Sequence, residues 1–188
     1  AGLPDLTLLD EDKNRLPLAL GAELAHWAAE VPNAVFVAAA GNDSQVDRHF
    51  WPAALADAGV EAAAARPTFV AVASLDSGQA PSLFTNRGPW VSVSTLGEGL
   101  HGEYPHGVFK VTSTVTDEFQ TGAARWSGTS FATALITGEI VRRARSGGVS
   151  AAQAWSDLDA ASPSHGTAGL GKVFDPRGSN PRWDPRNW

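Results

Sequence analysis

Three short apolar runs constrain the fold of this chain more than any other feature. Val35–Ala40 (VFVAAA) is continuous rather than alternating in its apolar character, and Thr68–Ser74 (TFVAVAS) and Val91–Thr95 (VSVST) are interpreted as two more strands of the same kind. A strand with one solvated face alternates apolar and polar residues, whereas a short continuous run suits a strand covered on both faces. The sequence therefore predicts a buried, mostly parallel β-sheet.

Segments with helical periodicity lie before and after these runs. Leu16–Glu30 has apolar residues at helical spacing and ends before Pro32, because the residue that precedes a proline avoids the α region. Ser130–Ala144 is apolar in its first half and is followed by Arg145 and two glycines, which is typical of a buried helix that ends there. Ser150–Leu158 predicts a shorter helix. Buried strands between helices predict a three-layer α/β fold with helices on both faces of the sheet.

The remaining segments contain less regular patterns. No helical pattern occurs between Gly97 and Trp126, and the weakly alternating centre of this stretch, Val108–Thr116, predicts a β-hairpin insertion. A last apolar stretch follows at Leu170–Phe174. We expect one domain over residues 1–174 and an irregular tail, rich in Pro, Arg and Trp, over Asp175–Trp188.

Composition excludes several classes of function. The net charge is −6 and no basic stripe occurs, so nucleic acid is not an expected partner. No apolar run approaches the roughly 20 residues of a membrane-spanning helix. The chain has no cysteine, which excludes disulfides and thiol catalysis, and no carboxylates are spaced like a calcium loop; we expect no metal and no cofactor. It has no methionine and no signal-peptide pattern, so we expect Ala1 to follow a processing site or a trimmed end.

Four short motifs follow one another along the chain. They are Ala-Ala-Gly-Asn-Asp (39–43), Trp-Pro-Ala (51–53), Phe-Thr-Asn-Arg-Gly (84–88) and Ser-Gly-Thr-Ser-Phe-Ala-Thr (127–133). Taken alone, Ser130 could be a helix N-cap and Asn42 an ordinary turn residue after a strand. Taken together and in this order, the motifs resemble those of the subtilases, a family of serine proteases, over about residues 16–174.

The resemblance implies a role for several residues. Ser130 would be the nucleophile, and the Asn42 side chain would donate to the oxyanion. A serine hydroxyl needs a base and a rigid mount, and the N-terminus of a buried helix supplies rigidity and free N–H groups. The resemblance also implies a cis peptide bond at Trp51–Pro52. The residues implied in substrate binding, three of them along one wall of the pocket for the substrate's P1 side chain, are Ala39, Ala40, Gly41 and Thr129.

The Asp and His of a catalytic triad are not found. In the family's chain order both precede the oxyanion motif, and neither an Asp-Thr/Ser-Gly nor a His-Gly-Thr-His motif occurs here. None of the histidines has the sequence context of the catalytic one; they are His26, His49, His101, His106 and His165. Two smaller departures lie away from the reacting atoms: Ala134 replaces a usual proline, and Thr95–Gly97 replaces Ala-Pro-Gly.

Three interpretations stay open. The first is a nicked, two-chain serine endopeptidase, in which an N-terminal fragment of the same protease supplies Asp and His and a polypeptide substrate is cleaved through an acyl-enzyme on Ser130. The second is a non-catalytic binding or regulatory module with a decayed subtilase fold, against which the retained Ser130 and Asn42 argue. The third is a complete enzyme whose front half lies outside this sequence.

The two-chain interpretation makes two structural predictions. This chain alone should expose an apolar patch and an unpaired sheet edge. None of its own histidines should lie within about 2.6–3.2 Å of the Ser130 hydroxyl. The compartment stays open, although many subtilases are secreted, which favours secretion.

Overall fold

The computed structural model describes residues 19–20, 23–24, 26–27, 30–31, 33–57, 68–110 and 112–179. The predicted helix Leu16–Glu30 therefore lies partly outside the described residues, and those of its residues that are described, at 19–20, 23–24, 26–27 and 30, are helical. Most of the predicted tail, from residue 180 onward, also lies outside them.

The described strands confirm the predicted parallel sheet. In chain order they are β1 (Val35–Ala39), β2 (Thr68–Leu75), β3 (Val93–Leu96), β4 (Leu100–Glu103), β5 (Gly107–Lys110), β6 (Thr116–Phe119), β7 (Ala123–Trp126) and β8 (Lys172–Val173). The central sheet has the order β1-β2-β3-β8 and every neighbouring pair in it is parallel. The third predicted strand starts at Val91, before the observed start of β3 at Val93. Ser92 does not extend β3, because it bonds to Ala71.

Both faces of β2 are covered, which explains its uninterrupted apolar sequence. Every residue from Val70 to Leu75 is at most 1% exposed. One face packs beneath two helices, α1 (Thr129–Gly147) and α2 (Ala151–Ala161). The other face packs against a short 3₁₀ helix, Ala53–Ala56, and the side chain of Trp90. The chain thus forms a three-layer α/β fold, as its apolar runs predict.

The helix ends differ from prediction by one to three residues. Helix α1 is longer than the predicted Ser130–Ala144 and ends at Gly147. It is capped by Gly148, whose φ of +62° is a left-handed conformation that glycine adopts easily. Helix α2 begins after Ser150, whose hydroxyl accepts a hydrogen bond from the Gln153 amide at 3.1 Å.

The first residues of the predicted tail are described, and they include one helical turn. A single helical turn, α3 (Pro176–Ser179), follows β8. It is held by Arg177, whose guanidinium donates to Asp175 and to the Ser77 carbonyl oxygen. The Arg177 guanidinium lowers the pKa of the Asp175 carboxyl, so this ion pair persists at neutral pH.

The predicted hairpin insertion is a longer arm made of two nested antiparallel pairs. Strands β4 and β7 pair at its base, and β5 and β6 pair beyond them. Its half-buried aromatic side chains pack on one another, with ring centroids 4.5 Å apart for Tyr104 and Phe119. At the root of the arm the Gly128 amide donates to the Gly97 carbonyl oxygen at 2.8 Å. The arm therefore leaves and re-enters the domain at one point.

Strand β1 forms one edge of the described sheet. It pairs only with β2 among the described strands, and all five of its residues are half-buried rather than buried. The Phe36 ring of β1 stacks on the Phe69 ring of β2, with the ring centroids 5.3 Å apart. The predicted unpaired sheet edge is thus present in the described part of the chain, beside a strand of entirely apolar sequence.

Helix α1 carries a buried acid that makes the stability of the protein depend on pH. Glu139 is 7% exposed and receives hydrogen bonds of 2.6–2.7 Å from Arg142 and Arg143. Burial raises the pKa of Glu139, but the two guanidinium groups outweigh burial, and the pKa lies below its ordinary value. Because the folded-state pKa is depressed, this stabilisation is complete above the unfolded-state pKa and is lost as the pH falls through the folded-state value.

We expect Glu139→Gln to lower the free energy of unfolding at pH 7 by about 1–3 kcal/mol, the range for hydrogen bonds to a charged group. The difference between the variant and the wild type should shrink as the pH falls below about 4.3, the ordinary pKa of a glutamate, because the unfolded chain then takes up the proton before the folded carboxyl does. Urea unfolding at pH 7, 5 and 3 measures it. A difference that does not change with pH would show that the loss comes from packing rather than from charge.

Candidate active site

The Ala-Ala-Gly-Asn-Asp motif (39–43) and the Ser-Gly-Thr-Ser-Phe-Ala-Thr motif (127–133) meet at one edge of the sheet. Gly41 and Asn42 follow the carboxyl end of β1, and Ser130 lies in the first turn of α1, which packs against β1, β2 and β3. In open α/β sheets this edge, at the carboxyl ends of parallel strands, is where ligands bind. Asn42 and Ser130, which are 88 positions apart in the sequence, thus lie at the same edge of the sheet.

Hydrogen bonds from Thr129 fix the side chain of Asn42. The backbone amide of Thr129 donates to Asn42 Oδ1 at 2.9 Å, and the Thr129 hydroxyl donates to the same oxygen at 2.9 Å. The hydroxyl in turn accepts a hydrogen bond from the Gly41 amide at 3.2 Å. With its oxygen bound by two donors, the Asn42 carboxamide presents its NH₂ group as the free donor at the start of α1.

Thr129 is fully buried, so its side chain acts within the protein. Both polar functions of the hydroxyl are used, one on the Gly41 amide and one on Asn42. A contact between Thr129 and a substrate, which the resemblance implies, would therefore be made by its backbone. The sequence motif alone does not reveal the hold of Thr129 on Asn42, because the bond spans 87 residues.

Ser130 is exposed and is not the helix cap. The N-cap of α1 is Gly128, which makes no side-chain capping bond, and Ser130 is the second residue of the helix. The alternative interpretation of Ser130 as an N-cap is therefore wrong. An exposed hydroxyl in the first turn of a helix lies near the positive end of the helix dipole, where negative charge is stabilised.

The three residues predicted to form a wall of the substrate pocket, Ala39, Ala40 and Gly41, differ in burial. Ala39 is half-buried, whereas Ala40 is fully buried and packs in the core beneath β1. Gly41 has a φ of +105°, and a Cβ atom there would lie 2.8 Å from the Phe50 ring and against the amide nitrogen of Asn86. Only glycine fits this position. The cis peptide predicted for Trp51–Pro52 is confirmed in the loop that follows.

The described histidines are distributed over several elements. His49 contacts Asp57 at 3.0 Å, and His165 contacts the Gln79 carbonyl oxygen and the Thr167 amide. His106 lies against Gly122 in the arm, His101 lies in β4 opposite Arg125, and His26 is exposed on the first helix. The geometry thus gives His49 and His165 partners other than Ser130.

Two further findings concern ligands and membranes. Among the described residues, no group of three or more His, Asp or Glu side chains is placed to hold a metal ion. In the same part of the chain, no helix is long and apolar enough to cross a membrane.

Comparison with known proteins places this geometry in a family. The profile of the subtilase family of peptidases matches residues 11–146, which include Asn42 and Ser130. The chain belongs to the subtilase family. Mycosin-4 of Mycobacterium tuberculosis (strain ATCC 25618 / H37Rv) is 35% identical over 125 residues, which cover 64% of this chain and 27% of that protein.

Solved structures of subtilases share the fold. A lanthipeptide protease superposes with a TM-score of 0.62 at 18% identity, over 87% of this chain and 54% of that one. A structure described as the self-cleaved protease domain of PatA has a TM-score of 0.50 at 26% identity, over 71% of this chain and 43% of that one. This chain therefore spans about a quarter of Mycosin-4 and about half of these solved subtilases.

Proposed function

We propose that this chain supplies the nucleophile and the oxyanion hole of a serine endopeptidase, and that an N-terminal fragment of the same protease supplies the triad Asp and His. The observation that carries the proposal is the Asn42 carboxamide. Its oxygen is held by Thr129, the residue before Ser130, which leaves its NH₂ group as a donor beside the nucleophile. A neutral amide suits this task, because it stabilises a developing negative charge without adding a charge of its own.

The chemistry follows from these positions. The Ser130 hydroxyl oxygen attacks the carbonyl carbon of a peptide bond while its proton passes to the imidazole of the N-terminal fragment. The carbonyl oxygen becomes an oxyanion, stabilised by the Asn42 NH₂ group and the Ser130 backbone N–H. The imidazolium then protonates the leaving amine, and an acyl-enzyme remains on Ser130. Water, activated by the same imidazole, hydrolyses the acyl group and restores the hydroxyl.

Apolar surface that no other described strand or helix covers supports the proposal that a second polypeptide segment binds this chain. The free edge of β1 has apolar side chains throughout and one described neighbour, which suits pairing with a further strand. On the first helix, Leu20 and Trp27 are seven residues apart, therefore on one face, and are 42% and 68% exposed. The comparison with a self-cleaved protease domain adds a relative in which cleavage within such a domain is described.

Labelling with a fluorophosphonate, which reacts with activated serines, tests the proposal. We expect the intact protease, meaning this chain with the part that carries Asp and His, to form one adduct on the peptide that contains Ser130. Residues 1–188 alone should remain unlabelled, since no base activates the hydroxyl. Denaturing intact-mass measurement then shows whether the Asp and His lie on a separate chain. An intact protease that is correctly folded but never labelled would favour the non-catalytic module.

A further inference from the structure

The loop that carries Asn42 is hydrogen-bonded to a second segment, residues 83–87. The mechanism above assigns no role to this segment. The Ser44 amide donates to the Phe84 carbonyl oxygen at 2.9 Å, and the Ser44 hydroxyl donates to the Leu83 carbonyl oxygen at 2.7 Å. The Arg87 amide donates to the Gln45 carbonyl oxygen at 2.9 Å. Residues 83–87 therefore run alongside the loop as a support.

Asn86 lies at the centre of this support and bonds to the loop on both sides of Asn42. Its backbone amide donates to the Gly41 carbonyl oxygen at 2.9 Å. Its side-chain Oδ1 accepts from the Asp43 amide at 3.0 Å and from the Gln45 amide at 2.9 Å. Asn86 is only 2% exposed, so these bonds form away from solvent, where their loss is costly.

From this geometry we propose that Asn86 is a positioning residue for the oxyanion hole, a proposal that rests on the proposed function. Thr129 holds the carboxamide of Asn42, and Asn86 holds its backbone through the two flanking residues. Asn42 is itself exposed, so it depends on these two supports to keep its NH₂ group in place. A donor displaced by about 1 Å can lose up to roughly a hundredfold in rate.

The proposal predicts a specific kinetic signature. The oxyanion exists in the transition state and not in the bound substrate, so a misplaced Asn42 lowers kcat and leaves KM unchanged. Because Asn86 acts through Asn42, its substitution should matter little once the Asn42 amide has been removed. A residue that merely stabilises the fold would not show this dependence.

A double-mutant cycle in the intact protease tests the proposal. We expect Asn86→Ala to lower kcat by about 10- to 100-fold with KM within about threefold of the wild type. In an Asn42→Ala background the same change should alter kcat by less than about threefold. Ser94→Ala is the matched control, because Ser94 is fully buried and donates to the Lys172 carbonyl oxygen away from the loop. We expect it to leave kcat unchanged.

A milder substitution covers the case in which Asn86→Ala does not fold. Asn86→Ser retains a polar group in the buried site, and we expect a smaller loss of kcat that also disappears in the Asn42→Ala background. Effects of Asn86 that persist in full without the Asn42 amide, or an Asn86→Ala variant with wild-type kcat, overturn the proposal. Failure of the proposed function looks different: the folded intact protease would then have no measurable kcat, or Asn42→Ala would itself leave kcat unchanged.

Discussion

Ser130→Ala in the intact protease is expected to lower kcat by about a million-fold, the loss known for removal of the nucleophile in subtilisin. The reason is that the acyl-enzyme can no longer form, so the oxyanion donors and substrate binding alone remain. Ser130 is exposed at the second position of α1, so its loss should leave the fold intact. Steady-state hydrolysis of a peptide substrate, with active-site concentration determined independently, measures the effect.

The matched control is Ser146→Ala. Ser146 is an exposed serine near the other end of the same helix, where its hydroxyl donates to the Arg143 carbonyl oxygen. We expect this variant to have wild-type kcat. If Ser130→Ala retained more than about a tenth of the wild-type kcat, the hydroxyl would not be the nucleophile and another group would have to carry the acyl transfer.

Asn42→Ala is expected to lower kcat by about 10²–10³-fold, the magnitude known for the corresponding change in subtilisin. KM should change little, because the NH₂ group stabilises charge that appears only in the transition state. The substitution also removes the acceptor of the buried Thr129 hydroxyl, and we expect a loss of about 1 kcal/mol in the free energy of unfolding. Separate kcat and KM values, with unfolding curves for the same samples, distinguish the two effects.

Asn33→Ala provides the control for that comparison. Asn33 is an exposed asparagine just before β1, at the opposite end of the strand from Asn42. Its substitution should leave kcat and KM at wild-type values. A rise in KM with unchanged kcat in Asn42→Ala would instead assign the side chain to substrate binding.

The fold could be predicted from the sequence wherever burial leaves a periodic or continuous pattern. Val35–Ala40 and Thr68–Ser74 match β1 and β2 to within one residue at each end, because both faces of β2 are covered and no polar residue interrupts it before Ser74. Ser92 shows the limit. It lies in an apolar run but bonds to Ala71 with both its amide and its hydroxyl, a local choice that no periodicity encodes.

The candidate site was predictable in part for a different reason. Ser130 and Asn42 belong to short motifs whose order along the chain resembles that of the subtilases. The role of Thr129 and Asn86 in holding them could not be predicted from the sequence, because these residues act through hydrogen bonds that span 41–88 residues. Asn86 is only 2% exposed, but the sequence does not distinguish a buried asparagine from an asparagine in a solvated turn. Only the tertiary structure distinguishes them.

The arm formed by β4 to β7 is attached to the domain at one point, so its length can vary independently of the position of Ser130. Its two ends are joined at the root, by the Gly128 amide on the Gly97 carbonyl oxygen and by the Gly99 amide on the Ser127 hydroxyl. Residues added or removed at the tip change a closed loop whose entropic cost grows only slowly with length. Because these bonds lie at the root, we expect the start of α1 to keep its position when the tip changes. We therefore expect that segments can be inserted at the tip of the arm, such as a graft that recognises one substrate, without changing the residues that support Ser130.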